Sequence, residues 1–280
     1  MKLPIRFRFG LRWFLVAVTV LCAWLGLHTR AAQRQKAAVA RIVNYGGSVR
    51  YSYEADDAGF DTKGQSWVPA WARRHIGVDF FHPVVSAHLN RSREPGDWFK
   101  SDMDEAPVDC LPDLPSLKNL NLVGEQQVND ENLKFVGRLR HLRHLGLLGG
   151  VDVTDAGISH LAKLENLSSL MCTSGALTDS LLTDSSLHAI AGLSSLERLF
   201  LQGYKFTDSG VQELSALQNL NGLQISGTPW QVQEITDDSL EFLLALPELH
   251  YLGVRYTKVT PEFSQRVIDC FPKCLSLIHI

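Results

Sequence analysis

The order of apolar and polar positions divides the chain into two patterns. Residues 13–29 (WFLVAVTVLCAWLGLHT) form an apolar run with no Asp, Glu, Lys or Arg. After residue 113, leucines recur instead in short spaced sets. Six segments begin at Leu114, Leu139, Leu164, Leu193, Leu217 and Leu246, spaced by 25, 25, 29, 24 and 29 residues. Each carries L-x-x-L-x-x-L-x-L or a close variant, then a glycine or small polar turn, then a short helical pattern. The L-x-L alternation predicts a strand with its leucines inward. A Thr-Asp pair precedes most helices: Thr154-Asp155, Thr183-Asp184, Thr207-Asp208 and Thr236-Asp237, with Asn129-Asp130 in the first segment and an extra pair at Thr178-Asp179. Such pairs predict helix caps. Four residues beyond each Thr or Asn stand Leu133, Ile158, Leu187, Val211 and Leu240, which suit the buried helix face.

One strand-turn-helix unit cannot bury its leucines alone, whereas stacked units make a continuous core. The predicted fold class is therefore α/β, a leucine-rich-repeat solenoid (horseshoe) of about six repeats over residues 111–280. The two 29-residue units predict bulges around Leu181–Ser185 and Trp230–Glu234. Upstream, the reading is a basic tail (1–12), a transmembrane helix (13–29) and a small α/β juxtamembrane segment (30–110). In that segment 31–43 continues or restarts a helix, Gly46-Gly47 stops it, 48–54 and 84–89 alternate as strands, Pro69 opens a short helix to about Ile76, and 91–109 is an irregular loop.

The apolar run spans roughly 25 Å as a helix, at the short end of a bilayer core. Arg12 can snorkel, and Trp13 and Trp24 lie near its ends, where indoles favour headgroups. A cleaved signal peptide has the same order of basic and apolar regions, but Arg30 and His28 crowd any cleavage site, which favours an uncleaved single-pass anchor. Basic residues stand on both sides of the span, so the short tail alone tips the repeat domain to the extracytoplasmic side.

Charge sharpens this division. The formal net charge of −3 hides nine Lys or Arg and no acid in residues 1–53, against 18 basic and 30 acidic residues in the rest. The basic front brackets an apolar span and the body repels phosphate, so nucleic acid is not an expected partner. Thirty-five of the 42 leucines lie after residue 110. Five scattered cysteines do not form a disulfide framework; Cys172 replaces a strand leucine and reads as core, and Cys270 and Cys274 read as thiols of a terminal cap.

No nucleophile elbow, P-loop, H-E-x-x-H or C-x-x-C occurs, so neither enzymatic activity nor a cofactor is expected. His141 and His144 would point to opposite faces of a strand, which excludes a shared metal. Asp102, Asp104, Glu105 and Asp109 lack calcium-loop spacing. The acceptor patterns at Asn90 and Asn166 carry little information. Residues flanking the strand leucines face the concave surface. Among them His144, Leu148, Met171, Arg198, Phe200, Tyr251 and Arg255 form the candidate partner-binding set, because aromatic and Arg side chains dominate binding hot spots.

The body resembles leucine-rich-repeat proteins of the L-x-x-L-x-L-x-G-T-x-V-T-D-x-G-L type, most closely in 225–228 (ISGT) and 153–158 (VTDAGI). The layout also resembles the membrane-anchored leucine-rich-repeat proteins of planctomycete bacteria: a basic tail, one span, G-G-S-V-x-Y-x-Y-E at 46–54, P-A-W-x-R-R at 69–74 and P-x-C at 272–274. The chain departs from the pattern where Glu125 and Tyr204 replace the Thr of G-T. The resemblance implies a horseshoe and a non-catalytic binding role toward an unknown protein partner. The alternative is a cytoplasmic adaptor or substrate-recognition subunit of a ubiquitin-ligase-like or signalling complex, for which residues 30–110 offer no adaptor motif.

Overall fold

The computed structural model describes residues 11–54, 64–90, 106–124, 128–149, 153–173, 182–229, 232–243 and 246–270. Helix α1 (Leu11–Asn44) runs unbroken for 34 residues, about 51 Å at 1.5 Å per residue. Its first half is exposed all round, and by length and composition it can cross a membrane. Its last turns belong to the folded body. Gln35, Ala38 and Ile42 are buried, spaced three and four residues apart and so on one face. Gly46, at φ 99°, turns the chain out of the helix.

Strand β1 (Ser48–Tyr51) pairs antiparallel with β2 (Val84–Asn90). The strand is shorter than the alternation suggests. The Tyr51 N–H donates to Glu54 Oε2 at 3.0 Å and the Glu54 N–H to the Tyr51 carbonyl at 2.9 Å, which folds the chain into a turn. Between the strands lie α2 (Ala70–His75), entered from Pro69, and a 3-10 turn at Val78–Phe80. Gln35 ties α1 to this cap. Its Nε2 donates to Asp79 Oδ1 (3.1 Å) and the His82 carbonyl (2.8 Å), and its Oε1 accepts from the Val84 N–H. The Tyr51 hydroxyl also donates to Asp79, at 3.0 Å, and Arg41 makes a bidentate pair with Asp109 at 2.9 and 2.7 Å.

From β2 onward the sheet is parallel and strictly sequential: β3 (Asn119–Val123), β4 (His144–Leu148), β5 (Ser169–Thr173), β6 (Arg198–Gln202), β7 (Gly222–Ser226) and β8 (Tyr251–Arg255). The register does not slip, so Ser86, Asn119, His144, Ser169, Arg198, Gly222 and Tyr251 form one row. Because β2 pairs with β3, the sheet continues unbroken from the segment upstream of residue 110 into the repeats. The return helices are α3 (Asp130–Val136), α4 (Asp155–Ser159), α5 (Asp184–Ala191), α6 (Asp208–Glu213), α7 (Leu240–Leu243) and α8 (Pro261–Cys270).

The core lies between sheet and helices. Leu120, Leu122, Leu145, Leu147, Leu170, Cys172, Leu199, Leu201, Leu223, Ile225, Leu252 and Val254 point inward and meet Leu133, Ile158, Leu187 and Val211. Each buried aliphatic side chain contributes roughly 1.5–3 kcal/mol. Burial pushes the Cys172 thiol up to about 12, as befits a core residue in a leucine position. Tyr204, in the Thr position of the motif, turns inward beside Phe206.

The recurrent Thr-Asp pairs do more than cap. Thr154, Thr183 and Thr236 accept from the N–H two residues on, and Asn129 forms a reciprocal box with Asn132, as expected for caps. Each aspartate, however, reaches the next repeat. Asp130 accepts from the N–H and hydroxyl of Thr154, Asp155 from Thr183, Asp184 from Thr207, Asp208 from Thr236 and Asp237 from Thr260, all ten contacts at 2.6–3.0 Å. The expectation that these aspartates serve their own helices is corrected: they clasp neighbouring repeats. Only stacking brings the acceptor and donors together. Gly157 and Gly210 leave the room this needs. A Cβ there would stand 2.1 Å from Asp130 Oδ1 and 2.3 Å from Asp184 Oδ1.

Of the two predicted bulges, Leu181, Trp230 and Gln231 lie outside the described residues; in the described parts Leu182 is buried, and Gln233 is buried with its Oε1 accepting from the Phe206 N–H at 2.7 Å. Glu234 bridges to Thr207 and pairs with Lys258. A buried amide that satisfies a backbone donor of the previous repeat outweighs the solvation it loses. Residues 1–10, Asp102, Asp104, Glu105, Thr178-Asp179, Leu181, Trp230 and 272–274, and the side chain of Cys270, lie outside the described residues.

Candidate functional site: the concave sheet face

The strand positions between the inward leucines line up as three rows across the concave face. In the middle row Asn121, Gly146, Met171, Phe200, Gln224 and Gly253 are register partners in sequence. The first row holds His144, Ser169, Arg198, Gly222 and Tyr251; the third holds Val123 and Leu148 at one end and Ser226 and Arg255 at the other.

Met171, Arg198 and Arg255 are exposed; His144, Leu148, Phe200 and Tyr251 are half-buried. The structure joins two that the sequence leaves apart. The rings of Phe200 and Tyr251 lie 6.1 Å apart at a 51° tilt, although β7 stands between their strands. The gap is bridged because Gly222 and Gly253 present no side chain and because the Tyr251 hydroxyl donates to Gln224 Oε1 at 3.2 Å. A Cβ on Gly253 would stand 3.1 Å from that hydroxyl. Met171 is the register partner of Phe200 on the other side. A continuous apolar and aromatic strip thus crosses β5, β6 and β8, with Arg198 beside it.

Other candidates do not converge on it. Leu148 on β4 and Arg255 on β8 are four strands apart, about 19 Å at 4.8 Å per strand, and flank the strip on opposite sides. His144 sits two strands from Arg198 with only Ser169 between. Burial first, then the Arg198 and Arg143 guanidinium groups, hold its pKa below the ordinary histidine value, so its ring is neutral at neutral pH. His141, three residues earlier, is exposed outside the strand. Among the described residues no group of three or more His, Cys, Asp or Glu is placed to hold a metal ion.

Beside the strip lies a groove not singled out in the sequence. Ser195, Glu197, Asn219, Asn221, Glu248 and His250 line a cavity of about 700 Å³ along the edge where β6, β7 and β8 begin. These residues stand just ahead of each strand, a recurring position that the leucine pattern leaves unspecified. Their polarity gives the strip an acidic and amide border. Asn166 and Asn219 occupy equivalent positions two repeats apart, each three residues ahead of its strand, and each donates its Nδ2 to the previous repeat, to the Arg140 carbonyl (2.8 Å) and the Ser194 carbonyl (2.9 Å). Asn166 is thus engaged in repeat stacking.

No family model matches the chain, and no curated protein matches it. Among solved structures, the crystal structure of an internalin (inlF) from Listeria monocytogenes is similar, with a TM-score of 0.50 and 21% identity over 69% of this chain and 46% of that one. The chain therefore spans less than half the length of that internalin. An internalin C2 (inlC2) from the same species matches 60% of this chain and 72% of its own at 18% identity, with a TM-score of 0.36. Six in-phase leucine repeats, one sequential in-register parallel sheet and the likeness to the first internalin together identify the fold as that of a leucine-rich-repeat protein.

Proposed function

We propose that this chain is a non-catalytic protein-interaction module, held to a membrane by the first half of α1 and binding an unknown protein partner on its concave face. The observation that carries the reading is the Phe200–Tyr251 pair, flanked by exposed Met171 and Arg198 on an open sheet face. Solenoids present extended concave surfaces of this kind, and clustered aromatic and Arg side chains supply most of the energy of protein contacts. The polar border formed by Glu197, Asn221 and His250 suits the hydrated rim of such an interface.

Anchoring is supported by the exposed apolar run of α1 and by its continuity with the cap. An unbroken helix carries the span directly into the solenoid. The bacterial resemblance and the short N-terminal tail support the repeats lying outside the cytoplasm in this reading.

Capture from solubilised native membranes tests the binding face. The Arg198→Ala/Phe200→Ala double variant should recover its partner at least tenfold less well than wild type, since loss of hot-spot side chains costs about 1.4 kcal/mol or more. Equal recovery would remove the patch from the proposal. An alkaline wash should leave the full chain in the membrane pellet, and release of the chain would overturn the anchor.

A further inference from the structure

The cap around α1 carries a row of rings that begins on the helix and ends at its surface. Trp24 stacks on His28 with centroids 4.6 Å apart. His28 meets the edge of Phe80 at 5.4 Å, Phe80 meets Phe81 at 5.1 Å, and Phe81 meets Trp67 at 6.2 Å. Trp67 is 76% exposed, and just beyond it Trp71 is 65% and Ile76 52% exposed. Val68 and Ala72, set between these residues, are buried, so the exposed side chains are held on a packed base. Large apolar groups so exposed and so close in the chain mark a contact surface.

Two features select lipid as the occupant. The first is level. Phe80 touches α1 at His28, one residue before the apolar run ends, so the aromatic surface of the cap begins where a crossing helix leaves the hydrocarbon. Tryptophan concentrates at that depth. The second is charge. Arg73, Arg74 and His75 are exposed in the last turn of α2, and Arg30 and Arg34 are exposed on α1 just beyond the run. Basic groups bordering apolar ones match anionic headgroups.

We infer that Trp67, Trp71 and Ile76, bordered by Arg73 and Arg74, seat the cap in the headgroup layer of the same membrane that α1 crosses. This rests on the anchor proposed above. The second attachment restrains rotation of the body about the helix and sets how the concave face is offered to a partner.

The test uses the full chain, labelled with fluorotryptophan, in nanodiscs of phosphatidylcholine and phosphatidylglycerol with and without a headgroup-nitroxide lipid. Fluorine NMR signals are assigned with Trp24→Phe, Trp67→Phe and Trp71→Phe, all exposed positions. Loss of the Trp24, Trp67 and Trp71 signals on adding the nitroxide lipid is the expected result. Loss of Trp24 with Trp67 and Trp71 unchanged would show an anchored chain whose cap stands clear of the bilayer, and would overturn the inference, leaving those rings to a protein partner. An unchanged Trp24 signal would overturn the anchor and this inference with it.

Discussion

Asp130 and Thr154, 24 residues apart, are joined by two hydrogen bonds: the carboxylate accepts from the Thr154 N–H at 2.8 Å and from its hydroxyl at 2.7 Å. The same bidentate clasp recurs four more times, ending at Asp237 and Thr260. The sequence marks both ends. Asn129 stands where later repeats have Thr, and its own box with Asn132 satisfies it; Pro261 stands where earlier repeats have Asp. Repeat stacking is thus held by polar pairs on the helix side as well as by leucines within.

The clasp predicts a graded effect at its centre. Asp184→Ala strands the N–H and hydroxyl of Thr207 and should lower stability by about 1–3 kcal/mol. Asp184→Asn keeps one acceptor oxygen, and the hydroxyl can turn to accept from the new amide, so its cost should be smaller. Urea unfolding should show a lower midpoint with an unchanged slope. Equal midpoints for Asp184→Ala and wild type would exclude an energetic role.

Gly157 should be replaceable only when the carboxylate above it is gone. Gly157→Ala drives a methyl to 2.1 Å from Asp130 Oδ1, so the aspartate must move and the clasp must open. A cost of about 1–3 kcal/mol follows for the single variant. In the Asp130→Ala background the same change should cost clearly less, giving a favourable coupling in a double-mutant cycle. Strict additivity would show that the two residues do not compete for this space.

Burial separates scaffold from surface on neighbouring strands. Leu199→Ala empties a fully buried position and should cost about 2–5 kcal/mol, whereas Met171→Ala, 37% exposed, should change stability by less than about 1 kcal/mol. Thermal unfolding of both variants distinguishes them. A comparable loss for Met171→Ala would mean that Met171 belongs to the core and not to the binding strip.

His82 makes the cap acid-sensitive. Its Nε2 lies 2.8 Å from Ser66 Oγ, and burial, followed by the charge of Arg73, lowers its pKa below 6.5. Below that value the unfolded chain takes up a proton that the folded cap resists. The contribution to stability is therefore whole above pH 6.5 and is lost as the pH falls through the lower folded-state value. His82→Gln should flatten the dependence of the urea midpoint between about pH 7 and 5. His144, shifted in the same direction, accounts for part of the remaining slope. An unaltered dependence in His82→Gln would rule His82 out as its source.

Much of the fold was legible because periodicity is a local property. Leu120 and Leu122 alternate as a strand, Thr154 and Thr183 cap helices, and six spacings announce stacking. The concave positions followed from the same alternation. The Phe200–Tyr251 contact did not, because it depends on Gly222 of β7 and Gly253 of β8 presenting no side chain between the two rings. The role of Gln233 was not legible for a related reason: nothing local shows that a backbone donor of the preceding repeat, at Phe206, lies within reach of its side chain.

The sequence by itself determined the repeat, its strand-turn-helix unit, the inward leucines and the apolar run of α1, since each follows from the spacing of side chains along one backbone. Only the tertiary structure decided what those units do to one another. It turned the aspartates from caps into clasps, carried α1 from the apolar run into the solenoid cap through Gln35, Ala38 and Ile42, and set Phe200 beside Tyr251. These relationships join residues about 20 to 50 positions apart, and they exist only because in-register stacking repeats the same geometry every 4.8 Å or so across the sheet.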